Sequence, residues 1–321
     1  MNEKVKAKAL ALGFTSVGIA AAGELEEEGE RLRRWLELGY DASMGWMAES
    51  AGKRADVRSV LPGARSVIAF ALDYYTEGRH ERGAGTGRIS RYAWGDDYHG
   101  VMGGKLREFC AWLLAENPGA EARAYVDTGP VMDKAWAVRA GIGWLGKHTN
   151  VITRGMGSWV FLGEVLTTLD LEPDAAAVDM CGTCTLCIDA CPTEAIVAPY
   201  VVDSNLCLSY LTIEHRGPIA GEVTEKFEGW IYGCDTCQDV CPWNLKFGTP
   251  TGEPAFLPRE GFVSPPLQEW RGMDQAEFSA RFRRSPVKRA KREGLLRNIE
   301  IVLGPSDPAG PLPSSHSSQE P

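Results

Sequence analysis

Eight of the nine cysteines in this 321-residue chain fall between Cys181 and Cys241. That concentration constrains the fold more than any other feature. Disulfide-stapled secreted domains spread cysteines through a short chain, because they lack the core that a longer chain can bury. Here one segment carries nearly all the thiols and the rest is cysteine-poor. This is the pattern of metal or cluster ligation in a reducing compartment, so a cytoplasmic location is expected. Cys110 stands apart, beside the helical stripe Met102, Leu106, Phe109 and Leu113, and reads as a small buried hydrophobe.

The first run is Cys181-x2-Cys184-x2-Cys187-x3-Cys191-Pro192, the bacterial ferredoxin spacing for a [4Fe–4S] cluster. Three closely spaced thiolates wrap one corner of a cubane, and the fourth, ahead of proline, points to a second cluster. The second run is Cys234-x2-Cys237-x3-Cys241-Pro242, and the position where its first cysteine would fall is Ile231. Cys207 is the unassigned cysteine nearby. Crossing the fourth ligands accounts for all eight: Cys181, Cys184, Cys187 and Cys241 on one cluster, Cys207, Cys234, Cys237 and Cys191 on the other. Zinc also uses paired CxxC elements, but it needs neither the third CxxC step nor the two Cys-Pro endings.

Hydrophobic residues at 44% and charged residues at 24% describe a soluble globular protein, and the length allows two domains at roughly 150 residues each. The net charge of −9 gives no bulk attraction to nucleic acid or anionic membrane, so any such binding needs a local patch. No uncharged apolar stretch approaches the ~18 residues of a spanning helix, and no membrane association is expected. Lys4, Lys6 and Lys8 ahead of Ala20-Ala21-Ala22 loosely mimic a signal peptide, but Gly13, Thr15 and Ser16 interrupt it. A helix over Glu3–Leu12 and a strand over Phe14–Ala20 explain the same letters.

Residues 1–175 alternate helical and strand-like segments. A helix is predicted over Glu24–Leu38, acidic early and basic late as the helix dipole favours. Strands are predicted over Ser66–Leu72, Ala122–Val126 and Trp159–Leu169. Residues 176–250 are the cysteine region. Residues 251–304 run from a Pro-containing connection into a basic helical stretch. In 305–321, eleven of 17 residues are Pro, Ser or Gly, so disorder is expected there.

Outside the cysteines, the pattern alone leaves alternatives open. Gly141-Ile142-Gly143-Trp144-Leu145-Gly146-Lys147 lacks nucleotide-loop spacing and fits either close backbone approach to a bulky group or a tight turn around a packed Trp. Asp127 and Asp133 flank Gly129-Pro130, with Lys134 next. If Pro130 begins a helix, Asp133 lies in its first turn, and a capping charge is the simpler reading. The sharper one is a proton donor raised in pKa by burial. His99 has the same ambiguity between a structural and a functional histidine.

Taken together, the segments Arg54 with Leu61–Ile68, Arg91–His99, Val126–Asp133, Gly141–Asn150, Gly157–Trp159 with Leu162–Glu164, Cys181–Pro192, Cys207–Glu214, Gly233–Trp243 and Leu295–Asn298 resemble the epoxyqueuosine reductases. The likeness runs from about residue 5 to Gly304. The ferredoxin run is common to many families, whereas VDTGP…D and GWLGK joined to it, with the displaced Cys207, are far more selective.

The resemblance implies an α+β fold: a flavin-reductase/nitroreductase-like cobalamin-binding domain, a ferredoxin-like module with two [4Fe–4S] clusters, and a short helical C-terminal extension in place of full HEAT-like repeats. It implies reduction of the epoxide of epoxyqueuosine at the tRNA wobble position, with electrons passing singly from the clusters to cob(II)alamin to give cob(I)alamin. It raises Asp133 from cap to proton donor, and it places Arg54, Tyr98, Asp133, Lys147, Ser158 and Ser209 in cofactor-lining segments. A monomer fed by an unidentified low-potential electron donor is expected.

Between Arg281 and Arg297 stand eight Lys or Arg and one acid, Glu293. Such a stripe is either a solvated helix face or the patch that tRNA phosphates require, and the resemblance favours the second. Arg216, Lys288, Arg289 and Arg297 are the expected contacts, with His215-Arg216 within reach of splayed anticodon bases. Two alternatives remain: a corrinoid reductive dehalogenase, expected to carry a twin-arginine signal where Arg33-Arg34 lies inside a charged helix, and a two-cluster electron carrier, which would not need some 175 residues ahead of its clusters.

Overall fold

The computed structural model describes residues 1–81, 83 and 85–304, so the expected disorder of 305–321 lies outside the described residues. The first half is built on one four-stranded antiparallel sheet. Its strands are β1 (Ser16–Ala21), β2 (Ser66–Asp73), β3 (Ala122–Tyr125) and β4 (Val160–Thr167), in the order β1-β2-β4-β3. The register places Ser16 opposite Ala71, Ser66 opposite Thr167, and Tyr125 opposite Glu164.

Every residue of β2 is buried, which its uninterrupted apolar run requires of a strand covered on both faces. One face carries Ile68, Phe70, Phe161 and Val165 beneath α1 (Asn2–Ala11) and α3 (Tyr98–Glu116), whose Met102, Leu106, Phe109 and Leu113 form the predicted stripe. Cys110 packs at its margin. The other face carries Val67, Ala69, Ala71 and Leu166 against Trp136 and Ala137 of α4 (Asp133–Arg139). α2 (Glu26–Glu37) lies on the same side, with Leu25 in that core. Helix α4 begins at Asp133, three residues later than a start at Pro130. Val126 through Met132 instead form an irregular turn that contains the left-handed Asp127 (φ 56°).

The cysteine region, 176–250, folds as five short helices and three small strands. A buried polar seam holds it to the sheet: Ser158 Oγ accepts from Gln238 Nε2 and Asn244 Nδ2, both at 2.9 Å, at the foot of α6 (Pro242–Phe247). The strand Trp230–Tyr232 pairs in parallel with Arg88–Ile89 from the first half. The C-terminal helix α7 (Lys291–Leu303) packs on that strand and on α5 (Leu208–Ile213). There, buried Asn298 Nδ2 donates to the carbonyls of Thr212 (2.8 Å) and Ile231 (2.9 Å). The basic stretch is therefore no single stripe: Arg281 ends one helix, Pro286–Ala290 form a 3-10 turn, and α7 follows. Pro286 and the left-handed Lys291 (φ 61°) break the periodicity. Among the described residues no helix is long and apolar enough to cross a membrane.

Candidate active site and cluster ligands

None of the eight cysteines forms a disulfide, and the charges that act on them fall into two groups of four. Cys187 feels the charges of Cys181, Cys241 and Cys184, and Cys241 those of Cys181 and Cys184. Cys237 feels Cys234, Cys207 and Cys191, and Cys207 feels Cys191. The grouping sets Cys241 with the first run and Cys191 with the second. Among the described residues no three His, Cys, Asp or Glu side chains close around one ion. Four thiolates in each group are the donor set that a [4Fe–4S] cluster takes. Small donors already face the sulfurs: Ala195 N–H reaches Cys191 Sγ at 3.3 Å, and the Ser209 side chain and main chain support Cys207.

Two residues expected at the cofactor are engaged along the module's own seams. Buried Lys147 donates to the carbonyls of Gly182 (2.7 Å) and Cys184 (2.9 Å), pinning the first CxxC. The glycine-rich segment around it is a tight hairpin on a packed Trp. A Cβ at Gly143 would lie 2.2 Å from the Ile152 carbonyl oxygen, and Trp144 meets Trp243 edge-on at 4.7 Å. Ser158 belongs to the Gln238–Asn244 seam.

The cleft between the sheet and the second group of thiols gathers the remaining polar residues. Tyr98, at the start of α3, stacks on Phe161 at 4.3 Å and donates to Asp127 Oδ2 at 2.9 Å. His99 contacts Asp97 Oδ1 through Nδ1 at 2.7 Å, and its Nε2 lies 3.4 Å from Asp127 Oδ2, an ion-pair distance longer than a good hydrogen bond. Burial opposes the imidazolium, yet Asp127 and Asp97 push its pKa up to about 9. Burial likewise acts to raise Asp127, but His99 and Tyr98 hold it below the usual carboxylate range.

Asp133 titrates the other way. Burial first, and the charge of Asp127 second, push its carboxyl up to about 7, against the weaker pull of Glu164 and Arg54. Arg54 holds the approach to α4, donating to the Val131 carbonyl at 3.1 Å and the Ser50 hydroxyl at 2.8 Å. Lys134 touches solvent yet is walled by protein. Burial lowers its pKa, while Asp127, Asp133, Cys237 and Cys207 all act on its charge. The ammonium donates to Asn150 Oδ1 at 3.1 Å and feels both Asp133 and the second thiol group.

Arg289 borders the same cleft. Its guanidinium donates to Glu214 at 2.7 Å, lies 5.6 Å from the Trp46 ring centroid, and feels Asp127. Lys288 beside it is exposed. Arg216 and Arg297 are engaged on main-chain carbonyls: Arg216 on Ile213 and Arg289 (both 2.8 Å), Arg297 on Leu211 (2.7 Å), His215 (3.0 Å) and Gly217 (2.8 Å). A separate cavity of about 380 Å³ opens beside them, lined by His215, Arg216, Lys291 and Arg297.

A family model described as "Epoxyqueuosine reductase QueG, DUF1730" matches residues 54–128, and one described as "4Fe-4S double cluster binding domain" matches residues 180–244. An epoxyqueuosine reductase of Synechocystis sp. is 47% identical over 290 residues, covering 89% of this chain and 100% of the relative. One from Gloeobacter violaceus is 48% identical over 308 residues, covering 94% and 96%. The chain belongs to the epoxyqueuosine reductase family. A crystal structure of an epoxyqueuosine reductase with a tRNA-Tyr epoxyqueuosine-modified stem loop aligns at a TM-score of 0.87, 32% identical over 94% of this chain and 80% of that one. The enzyme from Bacillus subtilis aligns at 0.86 with 30% identity over the same shares. A reductive dehalogenase aligns at 0.44 with 16% identity and carries no functional weight.

Glu164 went unassigned in the sequence. Its signal was there: one acid inside the strand Val-Phe-Leu-Gly-Glu-Val-Leu-Thr, where every other side chain is apolar until the terminal Thr167. Asp97 and His99 were equally readable only as letters. Their role depends on Asp127, 28 residues beyond His99, arriving at the same point.

Proposed function

We propose that this chain reduces the epoxide of epoxyqueuosine, at the wobble position of tRNA, to the alkene of queuosine. The balance is two electrons and two protons in, one water out. The observation that carries the reading is Asp133: its Oδ1 is buried without a donor, its pKa is raised, and the neighbouring Lys134 feels both it and the thiols Cys207 and Cys237. When bound, the clusters would pass electrons singly and cobalamin would hand them to the substrate carbon; the protein supplies the site and the proton.

The cleft fits such a cofactor. Asp133 Oδ1 is buried without a donor, and Lys134 and Asp127 beside it meet solvent, with Lys134 also feeling Cys207 and Cys237. Arg54, Tyr98, Lys134 and Ser209 would hold the cofactor, in a domain of the flavin-reductase/nitroreductase kind spanning 1–175. The modules 176–250 and 251–304 would follow, in a cytoplasmic protein. Asp133 protonates the leaving oxygen, because burial and the charge of Asp127 favour its acid form while it remains only half-buried, unlike the fully enclosed Glu164. Asp127 stays ionised and orients Tyr98 and His99. Lys288 and Arg289 supply the positive edge for the anticodon backbone.

The deciding experiment is anaerobic conversion of an epoxyqueuosine-containing stem loop by cluster-reconstituted, cobalamin-loaded protein. Queuosine formation that depends on both additions is expected; cobalamin binding without conversion would overturn the reading.

A further inference from the structure

Glu164 is an acid placed where the sheet offers nothing to hold its charge. It is completely buried (0% exposed) in the middle of β4, between Ala69 of β2 and Tyr125 of β3. Alternation along the strand puts it on the α4 side with Leu162 and Leu166, and the small Ala69 beside it leaves room. Among the described residues neither of its oxygens has a hydrogen-bond donor; its neighbour is the Asp133 carboxyl, whose buried Oδ1 has none either. A buried carboxylate without a donor is among the costliest arrangements a core can contain. Two facing carboxyls with a proton between them remove that cost at both.

The surroundings decide which one keeps the proton. Arg54 and Lys134 act on Asp133, whereas the charges that act on Glu164 are those of Asp133 and Asp127, both negative. We propose that Glu164 remains protonated and donates a hydrogen bond to Asp133, aligning that carboxyl before proton transfer and stabilising it as a carboxylate afterwards. Glu164 is thus a positioning residue that keeps its own proton; the proton transferred leaves Asp133 for the substrate oxygen. Burial together with Asp133 holds Glu164 well above the ordinary glutamate range, in the same sense.

The inference rests on Asp133 being the proton donor, and the test separates the two. Reduction rates of the epoxyqueuosine stem loop are measured against pH for the loaded enzyme and for Glu164→Gln, Glu164→Leu and Asp133→Asn. A glutamine amide still donates to Asp133, so Glu164→Gln slows turnover but leaves the alkaline limb in place. Leucine donates nothing, and the limb moves up by about one pH unit. A limb that moves down in Glu164→Gln would mean that an ionised glutamate had been removed, and would overturn the proposal, as would an unmoved limb in Glu164→Leu. Full activity in Asp133→Asn would instead overturn the role of Asp133. Should the leucine variant not fold, infrared spectra decide: above about pH 8, where ordinary carboxyls are ionised, the carbonyl band of a protonated acid is expected in the wild type and absent from Glu164→Gln. No difference between the two would overturn the proposal.

Discussion

Asp127 and Asp133 stand at the two ends of one irregular turn, and their environments drive their protonation apart. Asp127 accepts from Tyr98 at 2.9 Å and pairs with His99, which keeps it ionised; its negative charge in turn favours the acid form of Asp133. Two carboxyls separated in this way are assigned different roles by their surroundings. The assignment gives the first prediction. Asp133→Asn should retain both clusters and bind cobalamin, yet lose roughly 10²–10⁴-fold in single-turnover rate, the range for a general acid. Wild-type-like rates would remove Asp133 from the mechanism.

The pH profile follows with a definite sign. Asp133 acts as an acid, so the rate should be full below its pKa and fall as pH rises through about 7. Asp127→Asn removes the nearby negative charge and should move that fall to lower pH. An upward displacement would show that Asp127 does not govern Asp133.

His99 makes a separate claim on stability. Its folded-state pKa, about 9, lies above the ordinary histidine value of ~6.5, because the two aspartates outweigh burial. A raised pKa stabilises the fold fully below the unfolded value and is lost as pH rises through the folded one. Thermal stability should therefore decline between about pH 6.5 and 9, and His99→Gln should flatten that slope. An unchanged slope in the variant would dismiss the linkage.

Much of this was legible in the sequence because it rests on spacing or period. The thiol grouping follows from CxxC steps and Cys-Pro corners, and the stripe Met102–Leu113 from helical recurrence. The start of α4 was not legible, because Pro130 is a strong local signal for a helix that the turn at Asp127 overrides. The fates of Arg216 and Arg297 were hidden for another reason. A basic residue in a charged run looks solvated until the chain returns carbonyls to it from Leu211, His215 and Gly217. Glu164 depended on a strand register and a helix start together, neither of which one sequence fixes.

That difference among the arginines separates binding from folding. Lys288→Glu should weaken stem-loop binding and lower the salt slope by about one for the lost phosphate contact, with the melting temperature nearly unchanged, whereas Arg289→Glu would also break the pair with Glu214. Arg297→Ala should instead cost about 2 kcal/mol or more of stability, since three carbonyls lose a charged donor.

The crossed ligand sets make the last prediction the most selective. Cys207 lies 16 residues after Cys191 and 27 before Cys234, outside either run, yet it groups with Cys191, Cys234 and Cys237. Cys207→Ala should therefore disturb only that cluster, leaving one intact [4Fe–4S] centre and about four irons where the wild type holds about eight. Cys241→Ala should do the reverse although it ends the second run, because its partners are Cys181, Cys184 and Cys187. Paramagnetic resonance of the reduced variants distinguishes the two centres. Lys134 feels both Asp133 and the thiols of the second group, so Cys207→Ala should abolish reduction of substrate even with its remaining cluster fully reduced. Loss of the same centre in both variants would show that the fourth ligands are not exchanged between the runs.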